Sequence, residues 1–411
     1  MYRASGVALI RSQNVYNDGF HLDGLAFITD EDAKRLAQVE VKEGDVLLNI
    51  TGDSVARVCQ VPVEILPARV NQHVAIIRPR TDVLDAQFLR YFLVSPSIQA
   101  QLFVLASAGA TRDALTKAMI QDLGVPAPPL HLQRAIAEML GGFDRKIELN
   151  QRINKTLEAM ARAIFKSWFV DFDPVRAKAD GRQPAGMNAE TAALFPRSFN
   201  EAVIGKVPVG WRVATLPEIT EINPRHLLRK DTPATYLDMQ NMPTHGHRIL
   251  GWTRRPFVSG SRFTNGDTLI ARITPCLENG KTAFVDFLGD GEVAWGSTEF
   301  IVLRPKEPLP PEYGYCLARD EEFRTHAIRN MTGSSGRQRV AINCFSQYCV
   351  AVPPKSIAQR FEQTVRPLFA GAKANSEEAA TLTAIRDTLL PKLISGEVRV
   401  RDVEKVVAQQ I

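Results

Sequence analysis

The strongest constraint on the fold of this chain is an internal repeat. Five short strings recur in the same order at offsets of 222 to 227 residues. They are GDVLL at 44–48 with GDTLI at 266–270, NQHVAIIRP at 71–79 with STEFIVLRP at 297–305, ASAGATR at 106–112 with MTGSSGR at 331–337, LIRSQNV at 9–15 with YLDMQNM at 236–242, and the double proline at 128–129 with that at 353–354. Each match is weak alone, but five in one order are hard to obtain by chance. The 411 residues therefore form a tandem of two units, each about as long as a domain with an appendage.

Within each unit the hydrophobic pattern changes from strand-like to helical at the double proline. Short β-rich runs broken by Gly, Pro, Asn and Asp come first. Apolar residues then recur at spacings of three and four, as at Ile136, Met139, Phe143 and Ile147, and again at Ile357, Phe361, Val365 and Leu368. Each stripe lasts roughly 40 residues, enough for a helix about 60 Å long.

These patterns predict an α+β fold. Two β-rich domains alternate with two long helices, which pair as an antiparallel coiled coil. Asn150 falls on the apolar side of the first helix and is a candidate for setting the register of the pair. The alternative is an ordinary amphipathic helix packed on each globular core.

The same patterns divide the chain into five segments. They are a first β-rich domain at 1–127, a first long helix at 128–172, a linker rich in Pro, Gly and Ala at 173–206, a second β-rich domain at 207–352, and a second long helix with the C-terminal tail at 353–411. Trp211 lies 25 residues before the matched Tyr236, whereas eight residues precede Leu9. Either Met1 is an internal start and the natural chain is longer, or the first domain is shortened at its N-terminus. We expect the first domain as given to be less stable than the second.

Composition and charge exclude several classes of protein. Fifty Lys and Arg against 45 Asp and Glu give a net charge of +5, which permits a nucleic-acid partner without requiring one. Five cysteines, an odd number, argue against a disulfide framework and for a reducing compartment such as the cytoplasm. No apolar run approaches ~20 residues and the N-terminus lacks a signal pattern, so we expect no membrane span.

Motifs for catalysis and metal binding are missing from the sequence. The fragment Asn223-Pro224-Arg225 lacks the second proline and the aromatic residue of an adenine methyltransferase loop. Gly280-Lys281-Thr282 looks like the end of a phosphate-binding loop, but Pro275 stands where the first glycine of that loop would be. The pairs Cys344–Cys349 and His245–His247 have no further ligands at zinc-site spacing. We predict no catalytic residue and no metal ligand in this chain.

Three longer strings are more specific. AIFKSWFVDFDPVRAK at 163–178, VPVGW at 207–211 and LLPKLISGEVRV at 389–400 resemble the specificity subunits of type I restriction-modification systems, as do the junctions at Pro128 and Pro353. The resemblance covers nearly the whole chain. It implies two target-recognition domains, each reading one half of a bipartite DNA sequence, in a chain that itself neither cuts nor methylates DNA.

The resemblance also implies partners. Besides double-stranded DNA, two methyltransferase subunits would pack on the helices, and two restriction and translocase subunits would join for cleavage. S-adenosylmethionine, ATP and Mg²⁺ would belong to those subunits and no cofactor to this chain. The alternatives are a stand-alone DNA-binding or regulatory protein, and an enzyme with an unrecognised site. Exposed apolar surface on the helix pair would favour dependence on partners, since a stand-alone protein would seal those helices with polar faces.

Candidate DNA-contacting residues fall first in two corresponding loops before the helical junctions. Ser107–Arg112 and Thr332–Arg339 combine glycines for close approach, hydroxyls for phosphates and arginines for phosphate or guanine. The candidates are Thr111, Arg112, Ser334, Ser335, Arg337, Gln338 and Arg339. The alternative interpretation is a flexible polar turn.

A second candidate set follows the Gly-Asp turns and precedes a neighbouring strand. It contains Asn49, Thr51, Arg57, Asn71, Gln72 and His73 in the first unit, and Arg272, Thr274 and Lys281 in the second. Asn and Gln suit adenine, and Arg suits guanine. The alternative is an ordinary polar surface. Scaffold positions such as Pro79 and Pro305 repeat while the polar residues do not, as expected if each unit reads a different half-site.

The helices predict a spacer function that can be tested by insertion. Antiparallel helices of equal length would hold the two domains about one turn of DNA apart, ~34–36 Å. Four residues inserted near Ile153 would add roughly 6 Å, close to two base-pair steps. We expect methylome sequencing to show a changed gap between two unchanged half-sites. Unchanged spacing in a still-active insertion variant would contradict the spacer function.

Overall fold

A computed structural model describes residue 3 and residues 5–107, 113–249, 251–334 and 336–402 of the chain. The chain splits into two compact units. Unit 1 combines Met1–Glu148 with Ala379–Ile411, and unit 2 is Leu149–Glu378. Each unit contains one β-rich domain and a part of each long helix.

Unit 1 is built on two small sheets and a helical layer. Its strands are β1 (Val7–Ile10), β2 (Val15–Tyr16), β3 (Gly19–Phe20), β4 (Ala26–Ile28), β5 (Glu40–Val41), β6 (Val46–Asn49), β7 (Val58–Gln60), β8 (Ala68–Val70) and β9 (Val74–Ile77). Its helices are α1 (Asp30–Arg35), α2 (Ala86–Val94), α3 (Pro96–Ser107), α4 (Lys117–Gln121) and the first part of α5 (Leu130–Phe165). The sheets have the orders β4-β1-β8-β5 and β7-β6-β9, and β2 pairs with β3.

Unit 2 has the same kind of architecture with additions. Its strands are β10 (Phe199–Ala202), β11 (Gly205–Pro208), β12 (Arg212–Thr215), β13 (Thr220–Ile222), β14 (Pro233–Leu237), β15 (Thr253–Pro256), β16 (Ser261–Phe263), β17 (Thr268–Ala271), β18 (Thr282–Phe284), β19 (Ala294–Gly296), β20 (Phe300–Pro305), β21 (Met331–Thr332), β22 (Arg339–Val340) and β23 (Cys349–Val352). Its helices are α6 (Asp173–Ala179), α7 (Ala189–Leu194), α8 (Leu216–Ile219), α9 (Pro311–Arg319), α10 (Glu321–Arg329) and the first part of α11 (Lys355–Ser395). The main sheets are β15-β14-β19-β16 and β13-β20-β17-β18.

The two units repeat one topology. In β4-β1-β8-β5 and in β15-β14-β19-β16 the successive pairings are antiparallel, parallel and antiparallel. The strands β7-β6-β9 correspond to β18-β17-β20, and α2 and α3 correspond to α9 and α10. The predicted α+β tandem repeat is confirmed.

Each repeated Gly-Asp turn carries a buried aspartate that is paired with a partly exposed arginine. The turn glycines Gly44 and Gly266 have φ angles of 80° and 88°, in the left-handed region that favours glycine. In unit 1 the buried carboxylate of Asp45 accepts from Arg78 Nε at 2.7 Å, and in unit 2 that of Asp267 accepts from Arg304 Nε at 2.7 Å. Each carboxylate also accepts from the backbone amide three residues before it. These bonds offset the cost of burying the charge and tie each turn to the neighbouring strand, β9 or β20.

The long helices pair within each unit. In unit 1, Leu140 of α5 packs in one cluster with Leu393 of α11. In unit 2, Asn150 near the start of that unit's part of α5 contacts Glu378 of α11, whereas the ring of Phe165 lies 6.3 Å from that of Phe361. The residue number of the α11 partner falls as the residue number along α5 rises. The two helices are therefore antiparallel, as predicted.

Asn150 is buried on the seam of the unit 2 helix pair, with 1% of its surface exposed. Its Nδ2 donates to Glu378 Oε2 at 2.8 Å and to the Asn375 carbonyl at 3.2 Å. Four residues later, Asn154 Nδ2 donates to Ser376 Oγ at 2.8 Å. A buried amide disfavours registers that leave it unsatisfied, and register setting by Asn150 stays a prediction.

A carboxylate of α5 fastens helix α2 in unit 1. Asp144 Oδ2 accepts from Tyr91 at 2.6 Å and from Arg90 at 2.8 Å, and its Oδ1 accepts from Arg386 of α11 at 2.7 Å. Burial alone would raise the pKa of Asp144, but these three partners outweigh it and hold that pKa below its usual value.

Unit 2 uses another carboxylate of α5 in the same way. Glu158 Oε1 accepts from the buried Tyr315 of α9 at 2.6 Å, and Arg319 Nε donates to the same tyrosine oxygen at 2.9 Å. His247 Nδ1 lies 3.9 Å from Glu158 Oε2. The pKa of Glu158 is lowered, because the neighbouring His247, the hydrogen bond from Tyr315 and the charge of Arg319 outweigh the opposing effect of burial.

The segment predicted as a linker, 173–206, carries α6, α7 and β10. Val175 and Phe195 from this segment are buried in the core of unit 2 together with Trp168 and Phe361. The segment thus contributes apolar surface to that core.

Within the described residues, no single helix has the length and apolar character needed to cross a membrane. The bent pair formed by α2 and α3 meets that test only when its two helices are taken together.

Removing the charge of Asp144 should loosen unit 1. We expect Asp144→Asn to destabilise it by about 3 kcal/mol at pH 7, since Arg90 and Arg386 would lose their buried counter-charge. The folded-state pKa is lowered, so the contribution of Asp144 is present at neutral pH and is lost as the pH falls through that value. Urea unfolding at a series of pH values should show the free energies of unfolding of the variant and the wild type converging in acid.

The control is Glu138→Gln, at an exposed position of α5. An equal loss of unfolding free energy in both variants would contradict the role of Asp144.

Candidate nucleic-acid interface

Three predicted residues of unit 1 line one open cavity of about 380 Å³. They are Thr51, Arg57 and His73. The other lining residues come from the turn after β1, from β2 and from the turn after β6, and are Ser12, Gln13, Tyr16, Gly52, Asp53 and Ser54. The polarity of this lining fits a groove that contacts a hydrogen-bonding ligand.

The side chains in this cavity are held by one another. Thr51 Oγ1 and His73 Nδ1 are 2.7 Å apart, with donor and acceptor set by the imidazole tautomer. The Arg57 guanidinium lies over the Tyr16 ring, 4.4 Å from its centroid. Held in this way, the guanidinium and hydroxyl can present donors with little loss of side-chain freedom on binding.

Three other predicted residues of unit 1 support the same cavity. Asn49 is completely buried and its Nδ2 donates to the Ser12 carbonyl at 2.8 Å, so it holds the turn and presents no amide at the surface. Asn71 Oδ1 accepts from the His73 amide at 3.1 Å. Gln72 is exposed, with its Nε2 3.3 Å from His73 Nε2.

In unit 2 the two predicted sets lie side by side. The Thr274 amide donates to the Gln338 carbonyl at 3.0 Å, and the Gln338 amide donates to Thr274 Oγ1 at 3.1 Å. Arg272 Nη2 donates to the Val340 carbonyl at 2.8 Å. The loop before the helical junction therefore lies against the segment that follows β17.

The structure adds an acidic residue that the sequence interpretation missed. Glu299 binds Arg339 through both carboxylate oxygens, with Oε1 2.8 Å and Oε2 3.0 Å from Arg339 Nε. This hydrogen bonding raises the pKa of Arg339. Glu299 occupies in unit 2 the position that His73 has in unit 1. The backbone amide of Arg272 donates to the Glu299 carbonyl, just as the backbone amide of Ile50 donates to the His73 carbonyl. The repeat of NQHVAIIRP as STEFIVLRP was the signal that could have identified it.

The remaining predicted residues differ in environment. Lys281 Nζ donates to the Met239 carbonyl at 2.7 Å, whereas Ser334 and Arg337 are exposed. Thr111, Arg112 and Ser335 lie outside the described residues. Asp113, the next described residue after this loop, lies beside Thr51, because the Gly52 amide donates to the Asp113 carbonyl at 3.2 Å.

Known proteins are similar to this chain in sequence. A family model described as the type I restriction modification DNA specificity domain matches residues 6–159. The HindI specificity subunit of Haemophilus influenzae is 26% identical over 95% of this chain and 94% of its own length. The MjaIX specificity subunit of Methanocaldococcus jannaschii is 24% identical over 91% of this chain and 82% of its own.

Along most of its length the chain is similar to type I restriction specificity subunits. This confirms the resemblance found in its sequence. A shorter match, over 40% of the chain and 29% of the relative, is 30% identical to the EcoAI specificity subunit of Escherichia coli. Among solved structures, the S subunit from M. genitalium is similar with 17% identity, coverage of 95% and 93%, and a TM-score of 0.49.

The relatives that this chain resembles are specificity subunits, the non-catalytic component of type I systems, and the chain is not an enzyme by that similarity. Burial raises the pKa of the Cys59 thiol to about 12 and raises that of Cys316, so neither is suited to nucleophilic chemistry. Of the two histidines considered for a metal, His245 is exposed and His247 is buried beside Glu158. No group of His, Cys, Asp and Glu among the described residues is arranged to hold a metal ion.

Base discrimination by unit 2 should depend on Arg339 and its carboxylate. We expect Arg339→Ala to reduce discrimination at one half-site by about 1–3 kcal/mol and to leave the other half-site unchanged. Glu299→Gln should give a smaller loss at the same positions, because it weakens the hold on the guanidinium without removing it. The measurement is competitive binding of duplexes with single substituted base pairs.

Arg57→Ala in unit 1 is the reciprocal control for this experiment. It should alter discrimination at the other half-site alone. Equal effects of Arg339→Ala on both half-sites, or no effect on either, would show that Arg339 does not read a base.

Proposed function

We propose that this specificity subunit reads a bipartite duplex target, one half with each unit. The observation that carries this proposal is a shared scaffold with different polar side chains at matched positions. His73 beside Thr51 in unit 1 corresponds to Glu299 beside Arg339 in unit 2. Different donors and acceptors on one backbone arrangement would select different bases.

We further propose that the subunit works only with modification subunits docked on its helices. In unit 2, Leu149, Ile153 and Met160 of α5 are 50%, 38% and 48% exposed. Their spacing of four and seven places them on one side of the helix. An exposed apolar stripe on a helix that already pairs with another favours a protein partner over the stand-alone alternative.

The full complex in this proposal follows the family. It contains two methyltransferase subunits and two restriction and translocase subunits in the cytoplasm. S-adenosylmethionine, ATP and Mg²⁺ are bound by those subunits. The segments 1–127 and 207–352 act as recognition domains, 128–172 and 353–411 act as the helical spacer, and 173–206 connects them.

Co-expression with the open reading frames that flank the gene tests this function. The complex should methylate a bipartite motif found by methylome sequencing, whereas the homogeneous chain alone should transfer no methyl group and cut no DNA. Leu149→Ser/Ile153→Ser/Met160→Ser should reduce co-purification of the modification subunit. A matched variant of exposed polar residues on the same helix, Gln151→Ser/Lys155→Ser, should not.

Two results would contradict the proposed function. Methyl transfer by the isolated chain would show an enzyme. Tight, sequence-specific binding with no stable partner would support the stand-alone DNA-binding alternative.

A further inference from the structure

The two units differ on one face of the same sheet. In unit 1 this face carries Leu9, Ala26 and Ile28, which pack with Ala33 of α1. Arg69 crosses the face, paired with Glu40 at 3.1 Å and donating to the Ala33 carbonyl at 3.0 Å. Helix α1 therefore seals the face in unit 1.

In unit 2 no helix follows the corresponding edge strand. Eleven residues separate β4 from β5 in unit 1, but four separate β15 from β16. The register aligns Thr253, Tyr236, Trp295 and Arg262 across the face, where unit 1 has Ala26, Leu9, Arg69 and Glu40. Residues 223–232 pack over part of it through Leu228.

The open edge of this sheet is cationic. Arg254 and Arg255 are exposed on the edge strand β15, with Arg255 on the face of Tyr236 and Arg254 on the opposite face, and Arg225, Arg229 and Lys230 are exposed on the adjoining loop. We name these five residues the basic face. The loop and the strand are joined through Phe257, whose amide donates to the Thr232 carbonyl at 2.9 Å.

Arginines of the basic face are oriented by their neighbours. The Arg255 guanidinium lies 4.4 Å from the centroid of the Tyr236 ring, and Arg254 Nη2 donates to the Pro233 carbonyl at 3.2 Å. Two carboxylates lie nearby, where Glu292 accepts from Thr235 at 2.6 Å and Asp238 accepts from the Gln240 amide at 3.1 Å. Both keep their negative charge, but their hydrogen bonds run to neutral groups, and among the described residues neither forms a close ion pair with Arg254 or Arg255.

The basic face is continuous with the candidate interface of unit 2. Strand β14 leads into the turn at Met239–Asn241, whose Met239 carbonyl binds Lys281. Asn241 Nδ2 donates to the Gly251 carbonyl at 2.8 Å, two residues before β15 begins. A duplex that lay against the candidate interface could follow this turn onto β15.

We propose that the basic face binds the phosphate backbone of duplex DNA beside the half-site read by unit 2. Guanidinium groups present paired donors that match phosphate oxygens, and phosphate contacts add affinity without reading sequence. The proposal rests on the proposed function, because it assigns a contact outside the half-site to the same unit. Unit 1 has no such surface on the matching face, where α1 begins with Asp30, Glu31 and Asp32.

The test is the salt dependence of DNA binding by the full chain in complex with its modification subunits. Two duplexes of equal length are compared, one with the bipartite motif identified by methylome sequencing and one without it. The affinity of the complex for each is measured between about 50 and 200 mM KCl. In Arg229→Gln/Lys230→Gln/Arg254→Gln/Arg255→Gln the slope of log K against log salt should become shallower by about 0.9 for each phosphate that the variant no longer neutralises. Affinity should fall for both duplexes, and their affinity ratio should stay unchanged.

Two further variants separate charge from fold. Lys34→Gln/Arg35→Gln/Lys42→Gln/Arg80→Gln removes the same number of charges from exposed positions of unit 1 and should leave the slope unchanged. Arg254→Lys/Arg255→Lys keeps the charge and should keep most of the slope.

An unchanged slope in the quadruple variant, with discrimination intact, would overturn the basic face as a DNA contact. If co-purification of a modification subunit fell instead, the face would bind an acidic protein surface, which also overturns the proposal. Loss of discrimination between the two duplexes in the wild-type complex would instead show that the proposed function is wrong.

Discussion

The structure depends on two carboxylates of one helix, each of which anchors a recognition domain. Asp144 holds Arg90 and Tyr91 of α2 in unit 1, and Glu158 holds Tyr315 of α9 in unit 2. Apolar packing is non-directional. By itself it therefore fixes the distance between a helix and a domain more tightly than the rotation of the domain about that helix. A charged acceptor among buried donors has a defined geometry, so each domain is oriented on the helix that carries it.

This anchoring explains how one backbone arrangement can support two different recognition surfaces. The Gly-Asp turns, their Asp–Arg ion pairs and the strand order are the same in both units, and the side chains that reach solvent beyond them differ. The Asp45–Arg78 and Asp267–Arg304 bonds stabilise the two turns. The stability of each turn therefore depends little on the side chains that reach solvent beyond it. Arg57 over Tyr16 and Arg339 on Glu299 are two solutions for holding an arginine at such a position.

Much of this architecture follows from patterns in the sequence, and parts of the site do not. The repeat predicted that the loop before the helical junction and the segment after the Gly-Asp turn matter in both units, and the structure brings them together at Thr274 and Gln338. Residue type alone misjudged Asn49, which is fully buried, and missed Glu299. Polar residues at strand ends have no periodicity that separates a buried hydrogen-bonding role from an exposed one.

The sequence by itself determined the tandem repeat, the α+β class and the two long antiparallel helices, because hydrophobic spacing and repeated strings are local and read directly along the chain. Tertiary structure alone decided which carboxylates fasten the domains to α5, which arginines have counter-charges, and which sheet face remains open. Residues such as Arg386 and Asp144, or Arg255 and Tyr236, are distant in sequence or lie on different strands. Their interaction depends on distance and burial in three dimensions, since both the strength of an ion pair and the cost of removing a charge from water are set by the surrounding atoms.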